Sequence, residues 1–105
     1  MPSSYLVVLT TLPNQSEARK ISKLLLKKKF AACVNLIGPM ESSFWWQGKI
    51  DRAREFLLLI KTRRAHFNRL RKFLEKNHPY EVPEIVAFRI AEGNASYLNW
   101  IKKST

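Results

Sequence analysis

Residues 31–62 read AACVNLIGPMESSFWWQGKIDRAREFLLLIKT and constrain the fold more than any other segment of the chain. Two strand-like segments, 31–46 and 49–62, flank Gln47-Gly48, which is a turn signal because glycine accepts a positive φ. The stretch is therefore predicted to be a β-hairpin. The first arm would span roughly 50 Å at the usual rise of a strand. A globule of this length has a diameter of about 35 Å, so the hairpin should overhang its own domain. Gly38-Pro39 predicts a bulge or bend in that arm.

The overhanging part carries three aromatic residues near its tip, Phe44, Trp45 and Trp46. Left in water, they would form a larger apolar patch than most monomers tolerate. The second arm contains FLLLI at 56–60, which is apolar on both faces of a strand. Both features predict that another subunit covers the hairpin. The alternative is that the helices of the same domain cover it.

The segments around the hairpin alternate between strand and helix. Residues 5–11 are apolar and β-branched, which predicts a buried strand. Asn14 and Glu17 have the spacing of a capping box, so a helix should begin there and run to about Lys29. The apolar stripe of this helix comprises Ala18, Ile21 and Leu25.

The second half repeats this pattern. A helix is predicted over 65–77, a strand over 84–90, and a short final helix after Gly93-Asn94. The order βαββαβα predicts an α+β, ferredoxin-like βαββαβ sandwich with a C-terminal helix and a long central hairpin, as one domain over residues 1–105. Right-handed crossovers would place both main helices on one face of the sheet.

Composition narrows the class of protein. The chain has 105 residues, of which 46% are hydrophobic, as in a folded globular domain. The N-terminal apolar run is too short for a signal peptide or a membrane span, and Cys33 is the single cysteine, so no internal disulfide forms. We therefore expect a soluble cytoplasmic protein without a membrane partner.

The net charge of +11 comes largely from the two predicted helices. The basic residues of these segments are Arg19, Lys20, Lys23, Lys27, Lys28 and Lys29, then Arg63, Arg64, Arg69, Arg71, Lys72 and Lys76. They can be solvated helix faces, or they can bind polyanions non-specifically at low salt. A basic nucleic-acid- or anionic-partner-binding module is thus the alternative function, although the aromatic pattern of RNA-binding sheets is missing.

Five blocks of the sequence resemble the CutA divalent-cation-tolerance family. They are AACVNLI at 31–37, FWWQGKI at 44–50, EFLLLIKT at 55–62, HPYEVPEI at 78–85 and YLNWI at 97–101. Together they cover nearly the whole chain in the order of the family. The resemblance implies a ferredoxin-like homotrimer whose long hairpins pair between subunits, with a role in tolerance of, or response to, divalent metal ions such as copper.

The resemblance also implies where copper would bind. In some members the suggested ligands are a cysteine after the first strand and a histidine pair before Pro-Tyr. Here those positions are Thr10 and Asn77-His78. Copper prefers thiolate and imidazole, so threonine and asparagine are poor replacements. No obligatory cofactor is expected, and copper affinity should be weak.

HPYEVPEI admits two interpretations. Its two prolines stiffen the chain, so it can be no more than a connector from helix to strand. Alternatively, it fixes a ligand-binding cleft between subunits, with Lys61, His78, Tyr80 and Glu84 as candidates. His78 would be the metal ligand, and Lys61 with His78 and Tyr80 would form a small-anion pocket. Lys61 can also form a structural ion pair with Glu55 or Glu84. His66, the other histidine, is expected to face solvent.

Motifs for catalysis are absent from the sequence. It has no P-loop, no dinucleotide fingerprint, no HExxH and no paired cysteines. We therefore predict a protein that binds rather than catalyses.

Overall fold

The computed structural model describes residues 4–105, so the first three residues of the predicted domain lie outside the described residues. Four strands and three α-helices alternate along the chain in the predicted order. They are β1 (Tyr5–Leu12), α1 (Gln15–Lys27), β2 (Cys33–Trp46), β3 (Lys49–Arg63), α2 (Phe67–Asn77), β4 (Val86–Arg89) and α3 (Ala95–Lys103), with a single 3₁₀ turn at Arg64–His66 before α2.

The four strands form one sheet in the order β2-β3-β1-β4, and all neighbours are antiparallel. Strands β1 and β2 are thus parallel with β3 between them, which is the split arrangement of the ferredoxin-like fold. The predicted fold class is confirmed. The helix start was also predicted correctly, since Asn14 Oδ1 accepts a hydrogen bond of 2.8 Å from the backbone N–H of Glu17.

One face of the sheet is covered by α1 and α2. Successive side chains of a strand point to opposite faces, so Val8, Leu58 and Ile60 lie on this face. They form one buried cluster with apolar residues of both helices. The helix residues in the cluster are Ala18, Ile21 and Leu25 of α1, and Leu70 and Leu74 of α2. This face is the core of the single chain.

The opposite face, which we call the open face, is apolar but incompletely covered. Cross-strand pairing places these residues together: Val7, Leu9, Ile37, Leu57, Leu59, Val86 and Phe88. Three of them are well exposed, Ile37 at 47%, Val86 at 43% and Phe88 at 59%. Helix α3 is fastened to one end of this face, because the guanidinium of Arg63 donates to the Thr105 hydroxyl and carbonyl at 2.9 and 3.0 Å.

The hairpin is long and bends once. Gln47 and Gly48 have φ values of 51° and 77°, so the predicted turn is left-handed at both residues. The register shifts between Ile37 and Met40, where the bulge was expected. The molecule measures 44 × 26 × 23 Å, and its length reflects the hairpin. No helix in residues 4–105 has both the length and the apolar character needed to span a membrane.

Candidate functional site at the base of the hairpin

The connector HPYEVPEI runs from the end of α2 to the start of β4. Its first residue, His78, has an extended backbone with ψ of 139°, as expected for a residue before proline. The backbone N–H of His78 still donates to the carbonyl of Leu74 at 2.8 Å and closes the last turn of α2. The helix therefore ends at Asn77, and the extended connector brings Tyr80 against the hairpin.

The imidazole of His78 is held by the backbone at both ring nitrogens. Nε2 lies 2.8 Å from the carbonyl oxygen of Thr11 and 3.2 Å from Oγ1 of Thr10. Nδ1 accepts from the backbone N–H of Tyr80 at 3.1 Å. A carbonyl cannot donate, so Nε2 carries a proton, and Nδ1 carries none because it accepts from an N–H. These two contacts assign a neutral ring. A metal ion could bind this ring only after displacing the hydrogen bonds at one of its two nitrogens.

The pKa of His78 is lowered from its ordinary value, chiefly because the ring is partly buried and desolvated. The hydrogen bond to Thr11 and the charges of Glu55 and Glu17 oppose this shift. Protonation would also place a new Nδ1–H against the N–H of Tyr80. The structure thus favours a neutral His78.

Tyr80 contacts the base of the hairpin. Its hydroxyl donates to Oε2 of Glu55 at 2.7 Å, and its ring centroid lies 5.0 Å from that of His78. Burial raises the pKa of Tyr80, and the hydrogen bond to Glu55 and the charge of that carboxylate add to the shift. The phenol therefore remains protonated and acts as a donor.

A groove of about 580 Å³ lies between the connector and one face of the hairpin. It contains two of the predicted site residues, Tyr80 and Glu84, together with Glu55. Its other lining residues are Thr11, Met40, Ser42, Ser43, Phe44, Trp46, Asp51, Ala53, Leu57, Glu81 and Val82. Its size falls in the usual range for small-molecule sites, roughly 300–1,000 Å³.

Lys61 is not part of this groove within one chain. It lies six residues along β3 from Glu55, a separation of roughly 20 Å in a strand. Its ammonium donates to Oδ1 of Asn35 at 2.5 Å, so neither predicted carboxylate is its partner. Neither of the ion pairs suggested for Lys61, with Glu55 or with Glu84, forms within one chain, because the strand direction carries Lys61 toward the opposite end of the sheet.

No convergent metal site is present in residues 4–105, where no three His, Cys, Asp or Glu side chains surround a common point. The Asn77 amide is directed away, donating to the carbonyl of Phe73 at 2.8 Å. His66 is partly buried rather than solvent-facing, and its ring nitrogens lie 3.2 Å from the guanidiniums of Arg63 and Arg69. Burial, followed by these two charges, lowers the pKa of His66.

Sequence reasoning missed most of the groove. Asp51, Glu81 and Trp46 were not singled out as site residues, and Glu55 was considered only as a partner for Lys61. One available signal was the position of Glu55 directly before the apolar run 56–60. A carboxylate at the end of a buried strand requires a partner, which here is Tyr80.

The antiparallel sheet with two helices on one face and a long hairpin defines a small ferredoxin-like protein. The chain belongs to the CutA1 divalent ion tolerance protein family, whose model matches residues 6–104. It is 46% identical over 99 residues to the divalent-cation tolerance protein CutA of Thermus thermophilus, covering 94% of this chain and 96% of that relative.

Other relatives are longer. The chloroplastic protein CutA 1 of Oryza sativa is 41% identical over 100 residues, which cover 95% of this chain and 56% of that relative. The crystal structure of CutA1 from Oryza sativa superimposes with a TM-score of 0.95 at 39% identity, covering 99% of this chain and 95% of that one. The Thermus thermophilus structure gives a TM-score of 0.93 at 44% identity, with coverages of 96% and 98%.

Proposed function

We propose that this protein acts in divalent-cation tolerance as a homotrimer that binds ligands and catalyses no reaction. The observation that carries the proposal is the open face. It presents Ile37, Val86 and Phe88 to solvent beside partly buried leucines of β1 and β3. Covering this surface would remove a contiguous apolar patch from water. The number of subunits follows from the resemblance to the family.

The hairpin supports the same proposal. Beyond the bulge it carries Trp45 at 72% exposure and Ile50 at 66%, and the two residues are cross-strand partners. Strands β2 and β4 are the sheet edges, with unpaired backbone groups along one side. A neighbouring subunit would bury the aromatic tip and pair with the free backbone groups of an edge strand.

Copper binding is proposed to be weak and to depend on His78. A single imidazole, held at both nitrogens, offers little to Cu(II) compared with a cluster of two or three ligands. We expect a dissociation constant no tighter than the micromolar range in titration calorimetry. His78→Ala should abolish most of the binding, and His66→Ala serves as the control. Equal affinity in wild type and His78→Ala would reject His78 as the ligand.

The location proposed for this protein is the cytoplasm. Plant relatives from Oryza sativa and Arabidopsis thaliana are described as chloroplastic, and the Archaeoglobus fulgidus structure as periplasmic. Fractionation of the native host, with the protein detected by antibody, tests the proposal. Recovery with periplasmic or organellar markers would reject it.

A second candidate function is polyanion binding by the helical layer. The exposed basic residues include Arg19, Lys20, Lys23, Lys27, Lys72 and Lys76. In residues 4–105 only one ion pair, Arg71–Glu75, neutralises any of this charge. Non-specific DNA binding should appear at low salt and weaken steeply as salt rises. Tight, sequence-dependent binding at physiological salt would favour this candidate over the first.

A further inference from the structure

The overhanging end of the hairpin carries opposite charges on its two sides. Successive residues of β3 point to opposite sides, so Arg52 and Arg54 lie on the side that the helices cover further along the strand. Asp51 and Glu55 lie on the other side and line the groove of about 580 Å³. We call this groove the acidic groove. The opposite surface, which we call the basic face, comprises Trp45, Ile50, Arg52 and Arg54.

The basic face has no cover within its own chain. Trp45 is 72% exposed and Ile50 66%. Arg52 and Arg54 are also exposed, and neither forms an ion pair in the described part of the chain. Even Glu41, which lies opposite Arg54 across the hairpin, is not paired with it. The face thus presents two apolar side chains and two guanidiniums to a partner.

The acidic groove lacks the matching cations. Glu55 is only 7% exposed, and within residues 4–105 its side chain is held only by the Tyr80 hydroxyl, which is a neutral donor. A carboxylate that becomes fully enclosed requires a cation or further donors. A neighbouring copy that covers this groove must therefore bring positive charge. The carboxylates that line the groove are Asp51, Glu55, Glu81 and Glu84, and no described lysine or arginine lies among them.

The two surfaces are complementary but cannot meet within one chain, because they lie on opposite sides of the same pair of strands. Contact between two basic faces, or between two acidic grooves, would set like charges together, which is unfavourable. A basic face against the groove of another copy pairs guanidiniums with carboxylates. It also brings Trp45 toward the rings of Phe44 and Trp46, which line the groove.

We propose that the basic face of one copy docks in the acidic groove of the next, with Arg52 and Arg54 supplying the positive charge that the groove lacks. This contact is heterologous, since it joins two different surfaces, and a heterologous contact closes as a ring of copies. The inference rests on the homotrimer proposed above and adds the surfaces, the direction and the charges of its contact. The partner is thus a second copy of this chain.

Charge reversal on the basic face tests the contact. Arg52→Glu with Arg54→Glu changes the net charge of the chain from +11 to 11 − 4 = +7 and sets carboxylates against carboxylates. Sedimentation equilibrium at physiological salt should show association weakened roughly tenfold or more. Lys20→Glu with Lys23→Glu is the matched control, because it makes the same change of charge at two exposed positions of α1. The control should associate as wild type does.

A combined variant shows whether the loss is one of charge pairing or of folding. Adding Glu81→Lys and Glu84→Lys to the Arg52→Glu, Arg54→Glu variant reverses the charges that were set against each other. All four positions are exposed, so the core is not altered. Association should recover toward that of wild type. A protein that had merely failed to fold would gain nothing from the two added lysines.

Thiol cross-linking tests the direction of the contact. In a Cys33→Ser background, Arg52→Cys and Glu81→Cys on one chain should give covalent trimers with a bis-maleimide, as read on a denaturing gel. Either substitution alone should give none. Intrachain links are disfavoured, since Arg52 lies on the side of the hairpin away from the groove.

The failures are distinguishable. A wild type that assembles beside an Arg52→Glu, Arg54→Glu variant that assembles equally well would overturn the contact and leave the homotrimer standing. So would equal weakening in the α1 control, or a combined variant without recovery. Covalent dimers from Arg52→Cys alone would show that identical faces meet and would overturn the direction. A monomeric wild type would instead reject the homotrimer itself, and this contact with it.

Discussion

The two faces of the sheet are built from the same strands but differ in how completely they are buried. On the helix-covered face, Val8, Leu58 and Ile60 are all 0% exposed. One residue along each strand, Val7, Leu57 and Leu59 remain partly exposed on the open face. Both sets are equally apolar, so the difference lies in what covers them. A single chain therefore buries one face of the sheet completely and leaves the other face partly exposed.

The uncovered open face explains why a chain of this length devotes 29 residues of strand to one hairpin, 14 in β2 and 15 in β3. The helices complete only the face toward which their apolar stripes point. The open face and the hairpin tip require apolar surface from elsewhere. A second and third copy can supply it, because every copy carries the same unfilled surface.

The largest expected effect comes from a charge on the open face. Phe88→Asp should dissociate the proposed trimer into monomers, because an uncompensated carboxylate would be buried where a neighbouring copy is proposed to cover the open face. Leu26→Asp is the control, since Leu26 is similarly exposed at 44% but belongs to α1 on the other side of the sheet. Light scattering should show loss of mass for Phe88→Asp only. Identical masses for the two variants would break the distinction between the faces.

A smaller effect is expected from a cavity on the closed face. Leu58→Ala should lower the free energy of unfolding by about 2–5 kcal/mol and leave the assembled mass unchanged, because Leu58 packs only within its own chain. Chemical denaturation of wild type and variant measures the difference. Leu59→Ala, one residue along the same strand, should instead weaken assembly. Loss of assembly in Leu58→Ala alone would contradict this assignment of the faces.

The smallest expected effect is on how stability depends on pH. It involves His78, which contacts Thr10 and Thr11 at the end of β1. The folded pKa of His78 is lowered, so below about pH 6.5 the unfolded chain binds more protons than the folded one. The stability contributed by the neutral ring is therefore present at pH 7 and lost as pH falls through this window. His78→Gln should reduce the slope of the melting temperature between pH 7 and pH 5. The pKa of His66 is also lowered, so His66→Gln should remove a separate part of that slope. An unchanged slope in His78→Gln would contradict the neutral ring.

Much of the fold could be predicted because its signals are local. The turn at Gln47-Gly48, the cap at Asn14 and the alternation of each strand depend on neighbouring residues. The open face was also foreseeable, since apolar residues on both faces of β3 require two covering surfaces. Helix α1 ends two residues before the predicted Lys29, which adopts φ of 58° and turns the chain toward β2.

The site was predictable only in part, because it depends on contacts between distant residues. Tyr80 meets Glu55 across 25 positions of sequence, and the path of a proline-stiffened connector is not encoded in any spacing. The grouping of Lys61 with His78 and Tyr80 was predicted for a cleft between subunits, and it stays a prediction because one chain does not contain that cleft. Charge composition also concealed the carboxylates that line the groove at the base of the hairpin, since a net charge of +11 gives no indication of where the few acidic residues gather.

Sedimentation equilibrium of the unmodified protein at micromolar concentration shows whether copies of this chain cover the open face. We expect a single species with a mass about three times the 12.3 kDa of one chain. A stable monomer at that concentration would show that the open face needs no covering subunit, and the proposed trimer would be wrong.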